Sequence, residues 1–399
     1  MRRVRGLARR VRRRLTPRRF PTLYDVNGIG NGSNTGRALL IYKAEPFLTP
    51  RDSDWFLGHQ NRRRSINLAQ LLGEFGYIVD VTDVDDVGKR KFRPERRYDV
   101  ILSGRIETAY LDTPLTRNAR RLYLATTAEH VAHNRNLRRR HELLRQRRGC
   151  GIPPRRNYPE RMPFVASAHA IIGVGNAATV DTWQRASNAK RYPFNNSGFA
   201  DTRFIFEAKD FASARKRFLF LASGSQVQKG LDLLLEIFPR HPELSLFVCS
   251  GFDREPEFCD CYRAELFETP NIHPVGWVRI NGAEFYELIE KCAFIVSPSC
   301  SEGQAGSVVH GMNAGLIPLV TRETGVDVDE FGMTFVDDSI EEIEKLILQS
   351  ASMPESELRE RCRKTRAVAE VRHSEAAFMA RWREILREVL ARADQTRAS

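Results

Sequence analysis

Residues 293–327 constrain the fold more than any other part of the chain. They begin with an apolar run, and Glu302-Gly303 then opens a segment whose apolar positions repeat at helical spacing. Gly315 closes that helix, and an apolar run at 316–320 starts a further strand. This order predicts a strand, loop, helix and strand unit. In such units ligands bind at the carboxyl ends of the strands, where backbone N–H groups at a helix start can hold an anion.

Strands and helices alternate along the whole chain, which is typical of parallel, doubly wound sheets. In the first half, apolar runs predict a helix at 65–75 and strands at 38–42, 77–81, 98–103, 121–126 and 170–174. A second sheet is predicted from residue 218 to about 336, and it is followed by helices at 339–350, 355–370 and 374–392. The chain is therefore predicted to be an α/β protein with two such sheets.

The N-terminal segment has an unusual composition. The first twenty residues contain ten arginines and no acidic residue. They lack the apolar core of a secretory signal, and a mitochondrial presequence fits less well because the segment contains no serine. Residues 27–36 are rich in glycine and asparagine and precede the first strand, so they predict a flexible linker instead of a phosphate loop. Since the sequence has no run of about 18 apolar residues, no membrane span is expected.

Charge divides the chain into a basic half and an acidic half. Residues 1–199 contain 39 lysines and arginines against 17 acidic residues, a net charge of +22, whereas residues 200–399 contain 24 against 33, a net charge of −9. The basic half would suit an anionic membrane surface through residues 2–19, at roughly 1 kcal/mol per basic residue, or an acidic acceptor. Nucleic acid is the less favoured partner, because few aromatic residues interrupt the arginine runs and no nucleic-acid-binding motif occurs.

The seven cysteines are an odd number and contain no Cys-x2-Cys pair, which predicts reduced thiols in a cytoplasmic protein. Cys259 and Cys261 are too close for a usual disulfide and lack partners at metal-ligand spacing. Most of the cysteines are therefore expected to be small core side chains.

Four segments occur in the order in which a known family has them. They are an apolar strand and small-residue turn leading to Lys229-Gly230, the strand at 245–250, a short strand within 271–278, and the unit at 293–327. Together they resemble the retaining GT-B glycosyltransferases of group 1, also called family 4. The resemblance implies two Rossmann-like doubly wound domains that face a cleft, with the last helix crossing back onto the first domain.

On this resemblance the chain has four parts. Residues 1–36 are the basic flexible arm and its Gly/Asn linker, and residues 37–200 are an N-terminal Rossmann-like acceptor domain. Residues 201–372 are the nucleotide-sugar donor domain, and residues 373–399 are a helix that packs toward the N-terminal domain.

The resemblance also implies which residues bind the donor. Lys229 would meet the diphosphate, Glu302 would contact the donor sugar, and Gly303 would allow close backbone approach. Backbone and hydroxyl groups of the preceding turn would contact the same phosphates; its residues are Ser223, Gly224 and Ser225.

Two positions depart from the family pattern. Members commonly place an arginine five residues before the lysine, where this chain has Gly224, and Arg322 is a candidate to offset that loss. The second carboxylate of the family's Glu-x7-Glu pair, which binds the ribose hydroxyls, is replaced by His310. Because histidine can also hydrogen-bond a sugar hydroxyl, His310 is expected at the ribose.

Family members often hold a histidine at a strand end, close to the transferred sugar. His130 and His133 both follow the strand at 121–126, and His59 is a third option. The sequence alone does not choose among them.

The leading hypothesis is a retaining, metal-independent, hexosyltransferase-like enzyme of polysaccharide biosynthesis, cytoplasmic or peripheral on the inner face of a membrane. It would move a sugar from a nucleotide-sugar donor to a cell-surface glycan or lipid-linked acceptor without a cofactor, and Lys229 would stabilise the leaving diphosphate. One alternative is a nucleotide-sugar epimerase or phosphorylase of the same fold. Another is a non-catalytic scaffold with a basic membrane- or nucleic-acid-binding arm.

Overall fold

The computed structural model describes residues 20–29, 36–57, 60–88, 92–106, 112–199, 202–328 and 330–397. The described residues of 1–57 and 61–119 form one compact unit, and those of 58–60 and 120–399 form another. The sequence predicts a domain boundary near residue 200, and that boundary stays a prediction. The arm at 2–19, residues 30–35 of the linker and His59 lie outside the described residues.

The first unit is built on three parallel strands in the order β2, β1, β3. They are β1 (Gly36–Tyr42), β2 (Tyr77–Asp83) and β3 (Val100–Ser103). The helices of this part of the chain are α1 (Asp54–Leu57), α2 (Gln60–Glu74) and α3 (Val84–Gly88). The apolar run of β1 is buried, and the three strands predicted here are confirmed.

Strand β3 begins two residues later than predicted, because the Tyr98 N–H donates to the Leu115 carbonyl (3.0 Å) and not to the sheet. The Tyr98 hydroxyl donates to the buried Asp80 carboxylate at 3.0 Å, and the Arg37 guanidinium lies 3.0 Å from the same group. Asp80 is therefore an internal structural carboxylate within β2.

Residues 20–29 fall in the stretch that the sequence predicts to be flexible, but they are hydrogen-bonded to β2. The Leu23 N–H donates to the Val81 carbonyl at 2.8 Å, and the Val81 N–H donates back at 2.7 Å. The Val26 N–H donates to the Val79 carbonyl at 2.9 Å. The segment around Leu23 is thus a short antiparallel partner at the edge of β2. The sequence did not reveal it, because so short a segment shows no clear alternation of apolar residues.

The second unit contains two sets of parallel strands. Strands β4, β5 and β6 lie side by side, and the other six form a sheet in the order β12, β11, β10, β7, β8, β9. Their bounds are β4 (Arg120–Ala125), β5 (Ala170–Val174), β6 (Lys190–Phe194), β7 (Arg217–Leu221), β8 (Ser245–Cys249), β9 (Ile272–Pro274), β10 (Phe294–Ser297), β11 (Ile317–Thr321) and β12 (Met333–Phe335).

Ten shorter helices and three long ones surround these strands among the residues that the structure describes. They are α4 (His130–Arg148), α5 (Pro163–Ala166), α6 (Ala177–Asp181), α7 (Phe211–Ala214), α8 (Gln226–Lys229), α9 (Leu231–Ile237), α10 (Pro256–Cys261), α11 (Arg263–Phe267), α12 (Ala283–Lys291), α13 (Gly306–Asn313), α14 (Ile340–Ala351), α15 (Glu355–Arg372) and α16 (Glu375–Arg397). The three helices predicted after the second sheet are confirmed.

The last helix packs on β6, as the predicted fold class requires. The Trp382 ring meets the Phe194 ring edge to face, with centroids 5.1 Å apart, and Phe378 lies 5.7 Å from the same ring. The Tyr192 hydroxyl of β6 donates to Glu388 at 2.9 Å. The chain therefore returns from the second sheet to a strand of its first half.

Helix α4 positions several residues of the site. The Glu129 carboxylate caps it by accepting from the N–H groups of Val131 (3.0 Å) and Ala132 (2.9 Å), and Gly149 ends it in the left-handed region with φ of 69°. Four of its arginines pair with acidic residues of the second half. Arg140 is fully buried and contacts Asp338 (2.8 Å) and Asp232 (3.8 Å).

The expectation that all cysteines are reduced is wrong for one pair. Cys150 and Cys261 form a disulfide across a sequence separation of 111 residues. They meet because the end of α4 lies against α10, where the Arg148 guanidinium donates to the Cys261 carbonyl at 3.2 Å. The sequence shows only that Cys259 and Cys261 cannot pair with each other. The free cysteines among the described residues are Cys249, Cys259, Cys292, Cys300 and Cys362.

Candidate active site

Lys229 lies at the end of α8, immediately before a sharp change of direction. Gly230 follows it with φ of 82°, and a Cβ there would overlap the Pro298 carbonyl. Only glycine fits this backbone without strain. The turn after β7 is thereby held against the loop after β10, and the Lys229 side chain forms an ion pair with Glu302 from that loop. The two residues that the sequence places at the diphosphate and at the donor sugar are thus in direct contact.

The loop that carries Glu302 is fixed by its own hydrogen bonds. The Ser299 hydroxyl donates to the Glu302 carboxylate at 3.1 Å, and the Gln228 side-chain amide donates to the Ser301 carbonyl at 2.7 Å. The side chains of Lys229 and Glu302 are 13% and 11% exposed, so the pair is nearly withdrawn from solvent. Their mutual attraction is therefore much less screened than that of a surface pair.

The environment of Lys229 disfavours its charge. Burial lowers the pKa of Lys229 to about 7, and the positive charge of Arg156 acts in the same direction. The Glu302 carboxylate opposes this shift, because a neighbouring negative charge favours the ammonium form. A second anion, such as a diphosphate, would favour the charged lysine further.

Gly303 lies where several strand ends meet. A Cβ on Gly303 would lie 2.5 Å from the Thr126 carbonyl oxygen and 2.7 Å from Val174. Gly175, with φ of 121°, and Gly325, with φ of 70°, both approach the Gly303 carbonyl. The groups that approach Gly303 closely in this structure are therefore parts of the protein itself. These contacts hold the Glu302 loop against the carboxyl ends of β4 and β5.

His133 and Ser301 join α4 to the same loop. The His133 Nε2 lies 2.7 Å from the Arg156 carbonyl oxygen, and its Nδ1 lies 2.9 Å from the Ser301 hydroxyl. Because a carbonyl only accepts, Nε2 carries the proton and Nδ1 accepts from Ser301. Burial lowers the pKa of His133 to about 4, although the hydrogen bond to the carbonyl opposes the shift. His133 is a neutral bridge between protein groups, a position that does not favour its predicted contact with the sugar.

His130 lies at the first position of α4, stacked on Tyr158 with ring centroids 4.7 Å apart. Its Nδ1 is 2.8 Å from the Pro159 carbonyl oxygen, so Nδ1 carries a proton and donates. The contact of His130 with the donor sugar stays a prediction.

The predicted phosphate turn has a carboxylate on its backbone. Ser225 has φ of 61°, and its N–H donates to Glu255, while the N–H of Gln226 donates to the other Glu255 oxygen at 3.2 Å. Gly224 faces the same group, since a Cβ there would lie 3.4 Å from it. Ser223 is exposed. The Ser225 N–H, which the sequence predicts to contact a phosphate, therefore already has the Glu255 carboxylate as its partner.

His310 and Arg322 lie apart from these contacts. The His310 ring is buried on α13 and stacks on Phe199, with centroids 4.7 Å apart and an interplanar angle of 14°. Arg322 is exposed on a short 3-10 helix after β11. The ribose contact of His310 and the compensating role of Arg322 stay predictions.

Sequence reasoning missed Arg156, Glu255 and Ser301. Each is placed by a contact with a residue distant in the chain. Arg156 and Glu255 lie outside the four segments that resemble the family, and Ser301 lies inside the unit at 293–327 but has no role in the family pattern. The only signal was the dense pair Arg155-Arg156 in the segment after α4, within a chain that lacks the expected arginine at position 224.

Within the described ranges, no three His, Cys, Asp or Glu side chains are grouped so that they could hold a metal ion. In the same ranges, no helix combines the length and apolar character needed to cross a bilayer. Independence from metals and cofactors stays a prediction.

Comparison with known families gives a match over part of the chain. Residues 215–352, which include the loops of Lys229 and Glu302, match the family model described as glycosyl transferases group 1. No curated protein sequence was found to match the chain.

Solved structures are similar over most of the chain. Sucrose-phosphate synthase from Thermosynechococcus elongatus matches with a TM-score of 0.62 and 13% identity, covering 89% of this chain and 98% of that one. Anabaena HepE in complex with UDP-glucose matches with a TM-score of 0.56 and 13% identity, covering 89% and 99%. WaaG, a glycosyltransferase involved in lipopolysaccharide biosynthesis, matches with a TM-score of 0.55 and 13% identity, covering 87% and 98%.

At these identities the structural similarity establishes the fold, and the family model adds a sequence match for residues 215–352. The predicted resemblance is confirmed by both comparisons. The chain is an α/β protein of the GT-B fold, with two Rossmann-like domains, and its residues 215–352 match the group 1 glycosyltransferases.

Proposed function

We propose that this protein is a retaining glycosyltransferase that moves a sugar from a nucleotide-diphosphate sugar to a cell-surface glycan or lipid-linked acceptor. The observation that carries the proposal is the buried ion pair of Lys229 and Glu302 at the carboxyl ends of the strands, inside the segment that matches the group 1 family. HepE was solved with UDP-glucose, which supports a nucleotide-sugar donor here.

Donor binding changes the partner of Lys229. In the free protein the ammonium is held by Glu302, and an incoming diphosphate offers it a second, more highly charged partner. The Glu302 carboxylate, still fixed by the Ser299 hydroxyl at 3.1 Å, then accepts hydrogen bonds from hydroxyls of the donor sugar. Lys229 and Glu302 together would hold the diphosphate and the sugar of the donor in a fixed orientation, which lowers the entropic cost of reaching the transition state.

The chemical step needs stabilisation of the leaving group. When the bond between the sugar C1 and the phosphate oxygen breaks, the electron pair stays on the diphosphate and the sugar gains oxocarbenium character. Lys229 is already desolvated beside that position, so it stabilises the developing charge without reorganisation. The start of α13, three residues after Gly303, adds the partial positive charge of a helix N-terminus. This arrangement uses no metal, and activity is expected to persist in EDTA.

The acceptor is proposed to lie at a membrane. WaaG, one of the structural neighbours, is involved in lipopolysaccharide biosynthesis, and residues 2–19 contain ten arginines in this chain. We therefore place the protein peripherally on an anionic inner membrane face. Deletion of residues 2–19 should reduce sedimentation with anionic vesicles in a salt-sensitive way while leaving donor binding intact. Equal sedimentation of the truncated protein would move the membrane contact elsewhere.

A binding screen tests the donor assignment. Wild-type protein is combined with UDP-, GDP-, dTDP- and ADP-sugars, and the shift of the melting temperature and the release of nucleoside diphosphate are measured together. A glycosyltransferase gives a shift with one nucleotide class and slow release of its diphosphate. The departures at Gly224 and His310 favour one rival, a non-catalytic GT-B scaffold, which would give a shift without release, whereas an epimerase would convert the sugar and keep the diphosphate bound.

A further inference from the structure

Residues 150–162, which we call the strap, connect α4 to α5 and contact residues on both sides of the candidate site. At one end Cys150 is joined to Cys261 of α10 by the disulfide. Next, the Arg155 guanidinium lies 2.8 Å from the Glu257 carboxylate and 3.6 Å from that of Glu255, the residue that caps the turn after β7. The strap is thus fastened to the donor half on this side.

The middle of the strap is fastened to α4. The Arg156 carbonyl accepts from His133, whose other ring nitrogen accepts from Ser301, the residue before Glu302. Asn134 makes two hydrogen bonds with the backbone of Tyr158, at 2.8 Å and 3.0 Å. The backbone of Arg156 is therefore fixed one side chain away from the Glu302 loop.

Arg155 and Arg156 differ in what their side chains contact. Arg155 is paired with two carboxylates, whereas no carboxylate of the described residues pairs with the half-buried Arg156 guanidinium. The Arg156 backbone is held beside the Glu302 loop, because its carbonyl lies 2.7 Å from the His133 ring, whose other nitrogen lies 2.9 Å from the Ser301 hydroxyl.

Burial lowers the pKa of Lys229, and the positive charge of Arg156 helps to lower it, in keeping with this position. Glu302 is paired with Lys229, and Glu255, which caps the turn after β7, lies 3.6 Å from Arg155. Arg156 is therefore the cation of this group that has no carboxylate partner among the described residues.

We propose that Arg156 is the second cation for the donor diphosphate and takes the role of the arginine that is absent at position 224. The assignment rests on the proposed function, since it names a further residue of the same site. A guanidinium presents paired N–H donors that match phosphate oxygens, and no carboxylate of the described residues competes with a phosphate for that of Arg156. Because the cation comes from the strap, diphosphate binding also ties the first half of the chain to the donor loops.

Titration calorimetry of nucleoside diphosphates and of the matching nucleosides tests the assignment. The proteins compared are wild type, Arg156→Ala, Arg156→Lys and the control Arg145→Ala, whose exposed guanidinium pairs with Glu142 at 2.7 Å. The control removes the same charge from the same half of the chain. Melting temperatures of all four are measured to show that each is folded.

The expected result is a loss of diphosphate affinity of about tenfold or more in Arg156→Ala, a smaller loss in Arg156→Lys, and none in Arg145→Ala. Affinity for the nucleoside should stay within about twofold in every variant, since it carries no phosphate. Wild-type binding with unchanged affinity in Arg156→Ala would overturn the role of Arg156 and leave the proposed function standing. A wild-type protein that binds no nucleoside diphosphate would overturn both.

Discussion

Glu302 has two opposed effects on the donor. Its carboxylate holds Lys229 in place in the free protein, yet it competes with the diphosphate for the same ammonium group and repels the incoming charge. In the proposed function the carboxylate acts once the donor is bound, because it then positions the sugar hydroxyls.

Glu302→Gln separates the two effects. The amide keeps the shape and a hydrogen-bonding oxygen but removes the charge, so nucleoside diphosphate should bind more tightly by about 1 kcal/mol or more, as expected when a repulsive charge is removed. Sugar transfer should fall, because the amide is a weaker acceptor for sugar hydroxyls. Calorimetry and a diphosphate-release assay measure the two quantities, and weaker binding together with unchanged transfer would contradict this account.

His133 predicts a pH dependence of stability. Its pKa is lowered to about 4 in the folded chain, from 6.5 when unperturbed, so the folded state resists a proton that the unfolded state accepts. The stabilisation is complete above about pH 6.5 and is lost as the pH falls toward 4, by up to about 3 kcal/mol.

The check is the free energy of unfolding from urea titrations at several pH values between 4 and 7. In His133→Gln the decline across this window should be shallower than in wild type. His373, whose pKa is also lowered to about 4 by burial, leaves part of the decline in both proteins. Identical slopes would show that His133 does not contribute.

Among the elements, the strands were the most predictable and the strap the least. Runs such as 170–174 and 218–221 are buried along their whole length, so local apolar composition suffices to place them. Helix α2 begins at Gln60, five residues before the predicted start, because residues 60–64 are polar and give no helical periodicity of apolar side chains. The contacts of the strap with Glu255, Glu257 and Cys261 join residues about a hundred or more positions apart and leave no local pattern.

The same contrast holds within the site. Lys229 and Glu302 could be placed from motif spacing, because each is fixed by the strand and glycine next to it. Glu255 on the turn and Arg156 near Lys229 could not, since their positions depend on how α10 and the strap pack. His310 shows the limit of transferring a family role to a changed residue, because its position on α13 was predictable but its stacking on Phe199 was not.

The disulfide between Cys150 and Cys261 is expected to stabilise the folded chain. Closing a loop of this length restricts the unfolded chain, so reduction or Cys261→Ser should lower the free energy of unfolding by about 2–4 kcal/mol. Thiol titration of the unfolded, unreduced protein should find the five free cysteines, and seven after reduction.

Cys259→Ser is the matched control, two residues away in the same helix, where the thiol only donates to the Phe252 carbonyl. It should leave the disulfide and most of the stability unchanged. Seven titratable thiols in unreduced protein, or equal stability of the reduced and oxidised forms, would contradict the pairing.

At the scale of the whole molecule, the division of charge has an internal use that the sequence did not reveal. Arginines of α4 and the strap pair with carboxylates of the acidic half, as in Arg147 with Asp232 at 2.9 Å and Arg148 with Glu265 at 2.5 Å. Arg140 is fully buried between Asp232 and Asp338, and loss of one partner from such a pair typically costs about 3–5 kcal/mol. Part of the basic excess therefore holds the second unit together, and the arginines of residues 2–19 remain the proposed membrane contact.

The central claim is that Lys229 stabilises the diphosphate leaving group of a nucleotide sugar. The most direct measurement is the rate of nucleoside diphosphate release from the sugar nucleotide that shifts the melting temperature, in wild type, Lys229→Ala and the control Lys345→Ala, whose 70% exposed side chain pairs with Glu342. The account predicts a rate at least about a hundredfold lower in Lys229→Ala, the scale seen when a preorganised electrostatic donor is removed, and an unchanged rate in the control. Release by Lys229→Ala within about threefold of the wild-type rate would contradict it.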